Sequence, residues 1–330
     1  MIETPFTQLI DASAPIQLAA MPGVCTPDLV SAVAEAGGLG MLPAPLMSPA
    51  ALEQALDEVS EKTSGAFGVN FLVPFLDPDC VDVAARKTRL VEFFYGEPSS
   101  GLIDRVHALG ALASWQVGSL AEAVAAERAG CDLVVAQGTE AGGHIRGQTS
   151  LLPLLSQVLD TVTAPVVAAG GIATARDLAA ILACGASGAR MGTRFVVAEE
   201  SGAHPSYVKA LIAASAADTC ITEAFSAMWP SAPHRVLRSA ITAAEARSED
   251  IVGETRLGGQ AVPVQRFSVI CPSKETTGHV DAMALYAGES VANVRSVQPA
   301  NEIVQELVSG AEPAVSLPSS NQGLQLPTNS

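Results

Sequence analysis

Short apolar runs alternate with alanine-rich amphipathic stretches up to about residue 195, and this alternation constrains the fold more than any other feature. Eight runs have the continuous apolar character of strands buried on both faces: Ile16–Ala20, Leu39–Leu42, Phe67–Phe71, Leu90–Phe94, Ala111–Gln116, Leu133–Gln137, Val166–Ala169 and Gly188–Met191. Helical patterns lie between them, such as Asp28–Ala36, Pro49–Lys62, Gly101–Leu109, Leu120–Ala129, Leu151–Thr161 and Ala175–Ala183. Eight such units predict an α/β fold, a closed (β/α)8 TIM barrel. An open doubly wound sheet would have fewer strands and a Gly-x-Gly-x-x-Gly motif after the first, where this chain has Met21-Pro22-Gly23-Val24.

The pattern changes after residue 200, which divides the chain into four predicted parts. Residues 1–200 form the barrel, and residues 201–285 form an appended, mostly helical and partly irregular segment that we expect to lie over the barrel mouth as a lid. Residues 286–311 return to the barrel and include a final helix, Ala300–Ser309. Residues 312–330 contain Pro, Ser, Asn, Gln and Gly with almost no charge, a composition typical of a flexible tail.

The charge and the cysteines exclude several classes of partner. The 18 basic and 34 acidic side chains give a formal charge of −16, so neither a nucleic acid nor a membrane surface is the expected partner. The six cysteines are scattered, with no Cys-x-x-Cys motif and no histidine at metal-ligand spacing, so we predict neither a metal site nor a disulfide framework. Because no leader and no long apolar stretch is recognisable, we predict a cytoplasmic protein, with a homodimer as the expected assembly.

Two glycine-containing stretches follow the last two predicted barrel strands. Gly170 and Gly171 follow the seventh, and Met191, Gly192 and Thr193 end the eighth. Loops at these positions form the usual phosphate site of a (β/α)8 barrel, because free backbone N–H groups and a helix N-terminus point at the anion. The alternative is that the glycines only let helices pack close to the barrel. Two such stretches at neighbouring strand ends favour a phosphate.

His144 is the strongest candidate for catalysis. It lies in a loop after the sixth strand among Gly138, Gly142, Gly143 and Gly147, and barrel enzymes carry their catalytic groups at the carboxyl ends of the strands. An imidazole can act as a neutral base or, when protonated, hold an anion. The alternative is a structural, hydrogen-bonded histidine.

Three carboxamides also lie at predicted strand ends: Asn70, Gln116 and Gln137. Each could simply cap its strand. However, a carboxamide both donates and accepts hydrogen bonds, so three of them around one rim suit a heterocycle such as the isoalloxazine ring of a flavin.

Six stretches of the chain carry a family resemblance: Ala20-Met21-Pro22-Gly23, Ala36-Gly37-Gly38-Leu39-Gly40, Gly68-Val69-Asn70-Phe71, Gln137-Gly138-Thr139-Glu140-Ala141-Gly142-Gly143-His144, Ala169-Gly170-Gly171-Ile172 and Met191-Gly192-Thr193-Arg194-Phe195. Together they resemble the nitronate monooxygenase family, FMN-containing (β/α)8 enzymes, over about residues 5–310. The resemblance implies that His144 faces the reactive edge of the flavin. The predicted FMN site consists of Met21, Gly23, Asn70, Gln116, Gln137, Gly142, Gly143, Gly170, Gly171, Arg190, Met191, Gly192 and Thr193. Arg190 departs from the family pattern, which often has glutamine at this position.

The resemblance implies that the protein uses FMN and dioxygen to oxidise alkyl nitronates, or the parent nitroalkanes, to a carbonyl compound and nitrite. The same motif occurs in flavin-dependent enoyl-ACP reductases and in NADH:quinone reductases. The alternative is therefore an NAD(P)H-dependent flavin reductase of enoyl thioesters or of quinones. A third alternative, a phosphate-binding aldolase or isomerase, would want a lysine at a strand end, and the lysines of this chain lie in predicted helices or loops.

Other polar and aromatic side chains are weaker candidates. We expect Tyr286 to contact substrate or flavin, whereas Glu140 is either a catalytic carboxylate or a hydrogen-bonding partner within its own loop. Trp115 and Trp229 are expected to be packing residues. The remaining histidines are assigned to the surface, to a helix cap and to the appended segment: His107, His204, His234 and His279.

Overall fold

The computed structural model describes residues 2–315 and contains a closed barrel of eight parallel strands. The first nine strands are β1 (Ile16–Leu18), β2 (Gly40–Pro43), β3 (Phe67–Leu72), β4 (Leu90–Phe94), β5 (Leu112–Val117), β6 (Leu133–Gln137), β7 (Gly143–His144), β8 (Val166–Ala169) and β9 (Gly188–Met191). All except β7 belong to the barrel, in the order β1-β9-β8-β6-β5-β4-β3-β2. The ring closes between β1 and β2, where the Leu18 N–H donates to Leu39 O at 2.9 Å. The predicted (β/α)8 barrel is confirmed.

Helices cover the outside of the barrel and continue into the C-terminal part. They are α1 (Pro5–Ile10), α2 (Pro27–Glu35), α3 (Pro49–Lys62), α4 (Pro78–Lys87), α5 (Ser100–Ala108), α6 (Leu120–Arg128), α7 (Leu151–Leu159), α8 (Ala175–Ala183), α9 (Thr193–Val196), α10 (Pro205–Ala213), α11 (Arg238–Glu245) and α12 (Ala300–Val315). The six predicted barrel helices are present, and α4 is an addition. Its start is typical of a helix, with Pro78 in the first turn and the Asp77 carboxylate accepting from the Asp79 N–H.

The interior of the barrel is apolar near the amino ends of the strands. Inward-facing side chains pack there with Phe6 and Ile10 of α1, which closes that end; the strand residues are Leu39, Met41, Leu90, Leu133, Val135, Val167 and Ala169. A second and larger cluster fills the space between the strands and the surrounding helices. We call the first cluster the barrel floor. The polar groups at the mouth of the barrel therefore lie above an apolar, closely packed layer.

The appended segment contains α10 and α11 and also more strand than the sequence predicted. Its strands are β10 (Thr219–Thr222), β11 (His234–Leu237), β12 (Ile251–Leu257), β13 (Gln260–Gln265) and β14 (Thr277–Gly278). They form two three-stranded sheets, β10-β11-β7 and β13-β12-β14. The β12–β13 hairpin turns at Gly258 and Gly259, with φ of +57° and +78°. Two adjacent glycines at positive φ are typical of a two-residue hairpin turn, a signal that the sequence prediction did not use.

The C-terminal helix α12 packs against α8 and α2 and continues to Val315, beyond the predicted end at Ser309. Residues 312–315 of the predicted tail are therefore helical, and residues 316–330 lie outside the described residues. Between residues 2 and 315, none of the helices has both the length and the apolar character that crossing a membrane requires.

Candidate active site

His144 is held between the barrel and the appended segment. It belongs to β7, which pairs antiparallel with β11 so that His144 lies opposite His234 and Gly143 lies opposite Arg235. From the barrel side, the Gln137 Nε2 donates to the His144 carbonyl oxygen at 3.0 Å. Gly143 has a φ of +75°, which favours glycine at this turn into the short strand. The backbone of the candidate base is therefore fixed from two directions.

Aromatic rings surround the His144 imidazole. Trp229 stacks on it, with ring centroids 4.1 Å apart and an interplanar angle of 26°. Tyr286, His234 and Tyr95 lie around it with ring centroids at 5.7, 5.2 and 6.1 Å. Such rings remove water from the imidazole and supply few hydrogen-bonding groups. Trp229, expected to be a packing residue, is thus part of the candidate site, and Tyr286 lies where a substrate contact was predicted.

Burial keeps His144 uncharged. Its Nε2 is buried and finds no hydrogen-bond partner among the described residues. Desolvation, with a smaller contribution from neighbouring His234, lowers the pKa of His144 from its ordinary value of 6.5 to about 3. The imidazole is therefore neutral near pH 7, and one of its two ring nitrogens has a lone pair that can accept a proton or a hydrogen bond.

His234 lies beside His144 but has a structural role. Its Nε2 accepts a hydrogen bond from the Phe225 N–H at 3.3 Å, and its Nδ1 lies 2.9 Å from Ala232 O, which assigns the proton to Nδ1. Burial lowers the pKa of His234 as well. Because both ring nitrogens are used by the backbone, His234 supports the loop and adds no charge to the site.

The arginines nearest to His144 along its two strands are paired with carboxylates. Arg235 lies 3.1 Å from the Glu289 carboxylate, and its guanidinium also donates to Thr139 O. Arg146 pairs with Glu122 and Glu97. Neither of these two cations is therefore left unpaired to hold a bound anion.

A polar layer lies between the barrel floor and the mouth. The Gln116 and Gln137 Oε1 atoms are buried there without a hydrogen-bond partner among the described residues, and so is the Oε1 of Gln17. Asn70 and Arg190 point into the same layer, where both contact the Glu92 carboxylate. The sequence prediction missed Glu92 and Gln17. Glu92 could have been found, because it is the single charged residue within the apolar strand Leu90-Val91-Glu92-Phe93-Phe94.

The predicted phosphate loops have the backbone of a cradle. Gly170 and Gly171 have φ of +112° and +72°, and Thr193 begins α9, whose first N–H groups have no partner within the helix. The Thr193 hydroxyl accepts from the Gly288 N–H at 3.0 Å. Met191 packs in the outer cluster, so it could meet a ligand in the barrel only through its backbone.

Three further residues of the predicted FMN site, Gly142, Gly23 and Met21, lie in loops that pack against the C-terminal part of the chain or close to it. A Cβ on Gly142 would lie 2.5 Å from the Gly288 nitrogen, so the return segment requires a glycine there. Gly23 has a φ of +77° and lies against Cys271 of the appended segment. Met21 is partly exposed in the same turn.

The structure also resolves the weaker candidates. Both Glu140 carboxylate oxygens accept from the Leu151 N–H at the start of α7, which is the hydrogen-bonding alternative. Trp115 is buried in the core and donates to Gly96 O. His204 caps α10, His107 is exposed and bonds Asp132, and His279 contacts Arg247. Among residues 2–315, no three His, Cys, Asp or Glu side chains come together as metal ligands would.

The fold and the site agree with the comparison to known sequences. The model of the nitronate monooxygenase family matches residues 3–84 and 79–310. The chain belongs to the nitronate monooxygenase family. It is therefore an oxidoreductase, and the family depends on flavin in general.

The curated relatives are named after two different activities, that of a dehydrogenase and that of a nitronate monooxygenase. A "(3aS,4S,5R,7aS)-5-hydroxy-7a-methyl-1-oxo-octahydro-1H-indene-4-carboxyl-CoA dehydrogenase" of Rhodococcus jostii (strain RHA1) is 34% identical over 285 residues, which cover 86% of this chain and 78% of the relative. A "probable nitronate monooxygenase" of Staphylococcus aureus (strain Newman) is 34% identical over 267 residues, covering 67% of this chain and 75% of the relative.

Solved structures of the family show the same division. FabK from Thermotoga maritima superposes with a TM-score of 0.78 at 30% identity, covering 96% of this chain and 98% of FabK. Nitroalkane oxidase from Streptomyces ansochromogenes gives a TM-score of 0.73 at 29% identity, covering 94% of this chain and 99% of the oxidase. The family is thus established, whereas its members differ in substrate.

Proposed function

We propose that the protein is an FMN-dependent nitronate monooxygenase that takes up neutral nitroalkanes and, with dioxygen, converts them to a carbonyl compound and nitrite. The observation that carries this proposal is the uncharged His144 at the mouth of the barrel, whose buried Nε2 has no hydrogen-bond partner among residues 2–315. The names of the Staphylococcus aureus and Streptomyces ansochromogenes relatives support the substrate class.

The residues present fit FMN. The buried Oε1 atoms of Gln116 and Gln137, which find no partner in the described part of the chain, match the ring N–H and polar edge of an isoalloxazine. The turn at Gly170 and Gly171, both at positive φ, and the N–H groups of Thr193 and Arg194 at the start of α9 would hold the phosphate. When bound there, FMN would supply the electron transfer that no side chain of the site can supply.

His144 would act as a general base in this reaction. A nitroalkane binds without charge, and its α-carbon gives a proton to the neutral Nε2, which leaves the nitronate and an imidazolium in contact. The cation that balances the nitronate is therefore generated by the proton transfer itself. The ring of Trp229 keeps bulk water away from this pair, which strengthens their attraction.

A second candidate is a flavin-dependent oxidoreductase acting next to the carbonyl of a thioester. The observation that favours it is the aromatic surroundings of His144, which suit a bulky uncharged substrate as well as a nitroalkane. Such a substrate also needs a base to take the α-proton, or an acid to return it. The Rhodococcus jostii relative is named as a carboxyl-CoA dehydrogenase. Reduction of quinones by NAD(P)H is the remaining alternative.

The test is anaerobic bleaching of the FMN-loaded protein, with nitroethane, ethyl nitronate, a saturated acyl-CoA, NADH and NADPH added separately. We expect nitroethane to bleach the flavin in the wild-type protein and to fail in His144→Asn, which should still bind FMN. Preformed ethyl nitronate should continue to bleach the variant, because its α-proton is already gone. Bleaching by the acyl-CoA or by a nicotinamide alone would replace the proposal with the second candidate or the reductase.

A further inference from the structure

Glu92 is a buried carboxylate that the proposed reaction does not use. It lies at the centre of β4 and is fully buried. Its oxygens accept from Asn70 Nδ2 at 2.8 Å and from Gln17 Nε2 at 2.9 Å, pair with the Arg190 guanidinium, and lie 3.4 Å from the Ser114 hydroxyl. Burying a carboxylate without partners would lower the stability of the folded protein by several kcal/mol, so Glu92 can be accommodated here only because these donors surround it.

All five side chains lie in the polar layer above the barrel floor. The strand register places Gln17 beside Arg190, Asn70 beside Glu92, and Glu92 beside Ser114. The floor residue Leu90 precedes Glu92 by two positions on the same inward face of β4. The carboxylate therefore lies one layer deeper than the mouth.

The network determines what the candidate site presents to a ligand. Because Asn70 uses its Nδ2 to bond Glu92, the planar amide leaves Oδ1 as the free acceptor end. Gln17 is fixed in the same way, and its Oε1 is buried without a partner among the described residues. Arg190 pairs with Glu92, so its charge is balanced within the layer.

We propose that Glu92 is a positioning residue for the flavin: it orients the carboxamides of Asn70 and Gln17 and neutralises Arg190, so that the layer below the cofactor carries no net charge. This inference rests on the FMN site of the proposed function, and it does not depend on which substrate reacts.

Removing one charge of the pair has a directional consequence. A flavin gains negative charge on two-electron reduction, and a nearby charge acts strongly across a dry protein interior. Glu92→Gln leaves the Arg190 cation unbalanced. The ratio of the affinity for reduced flavin to the affinity for oxidised flavin should therefore be at least ten times larger in this variant than in the wild-type protein. That tenfold change is equivalent to a rise of about 30 mV in a two-electron potential. Arg190→Gln removes the cation and should lower the potential.

The experiment compares the FMN-loaded wild-type protein with E92Q, R190Q, the double variant E92Q/R190Q and the control S114A. Midpoint potentials are measured by equilibration with a reference dye, and dissociation constants of FMN by fluorescence titration. We expect opposite shifts in the two single variants and a return toward the wild-type potential in the double variant. S114A removes a weak neutral donor and no charge, so its shift should be smaller than that of either single variant. A loss of packing alone would not produce shifts of opposite sign that cancel.

The outcomes separate this inference from the proposed reaction. Equal potentials in the wild-type protein and the single variants would overturn the role of Glu92 and leave the proposed function intact. If E92Q does not fold, the comparison of R190Q with the double variant decides: equal potentials in those two would equally overturn it. Failure of every nitro compound to react, with the potential shifts present, would remove only the proposed reaction. A protein that binds no FMN would overturn both.

Discussion

The neutral state of His144 predicts a specific dependence of stability on pH. In the unfolded chain the imidazole titrates near its ordinary pKa of 6.5, whereas in the folded protein burial lowers this pKa to about 3. Between these values the unfolded state binds one more proton than the folded state, so the free energy of unfolding falls as the pH falls below 6.5. At pH 5, which is 1.5 units below the ordinary pKa, the loss is about 2 kcal/mol at 1.36 kcal/mol per unit.

The assay is urea unfolding of the wild-type protein, His144→Asn and His144→Gln at pH 8 and pH 5 with the same excess of FMN. Other titrating groups contribute to all three proteins, so the change in the wild-type minus variant difference isolates His144. We expect this difference to move by about 2 kcal/mol against the wild type on acidification, with both variants in agreement. A difference that does not change with pH would refute the claim that the imidazole is desolvated in the folded protein.

Two further predictions follow from contacts near His144. Trp229→Ala should admit water and raise the pKa of His144 toward 6.5, so that the pH-dependent loss of stability shrinks by at least half. Trp229→Phe should preserve most of this loss. The same unfolding measurement checks both variants, with Trp115 as the remaining fluorophore. Glu140→Ala should cost about 1 kcal/mol of stability because it removes the acceptor of the Leu151 N–H at the start of α7, and it should leave the pH profile of flavin bleaching by nitroethane unchanged. A shifted profile would return Glu140 to the catalytic candidates.

The barrel could be predicted from the sequence because its signals are local. Each strand is a continuous apolar run, and each helix has a periodic pattern or a cap, so the order of elements alone selects a closed parallel sheet. The appended segment was less predictable because its longest strands, β12 and β13, are mostly exposed and lack a continuous apolar run, and because β7 has only two residues. Its pairing with β11 depends on residues about 90 positions away along the chain, which no local pattern specifies.

The same reasoning explains which site residues were found. His144, Gln137 and the glycines lie in one loop or at one strand end, where residue type and position are enough to indicate a function. Trp229 reaches the imidazole only because the appended segment folds over β7. From the sequence alone, it cannot be distinguished from a tryptophan that packs in the core. Arg190 could be recognised as a departure, but its partner Glu92 is 98 residues away and becomes evident only when β4 and β9 face each other across the barrel.

The two levels of the site share one electrostatic property, and this property bears on substrate choice. At the mouth, burial keeps His144 and His234 neutral; below it, Glu92 balances Arg190. A preformed nitronate anion meets no unpaired arginine in such a site and should bind weakly, whereas a neutral nitroalkane binds without a counter-charge and produces the balancing imidazolium only when the proton moves. The wild-type KM for nitroethane should therefore depend little on ionic strength, since the binding step pairs no charges. A KM that rises steeply with salt would instead place an unpaired cation at the mouth and favour the anion as the species that binds.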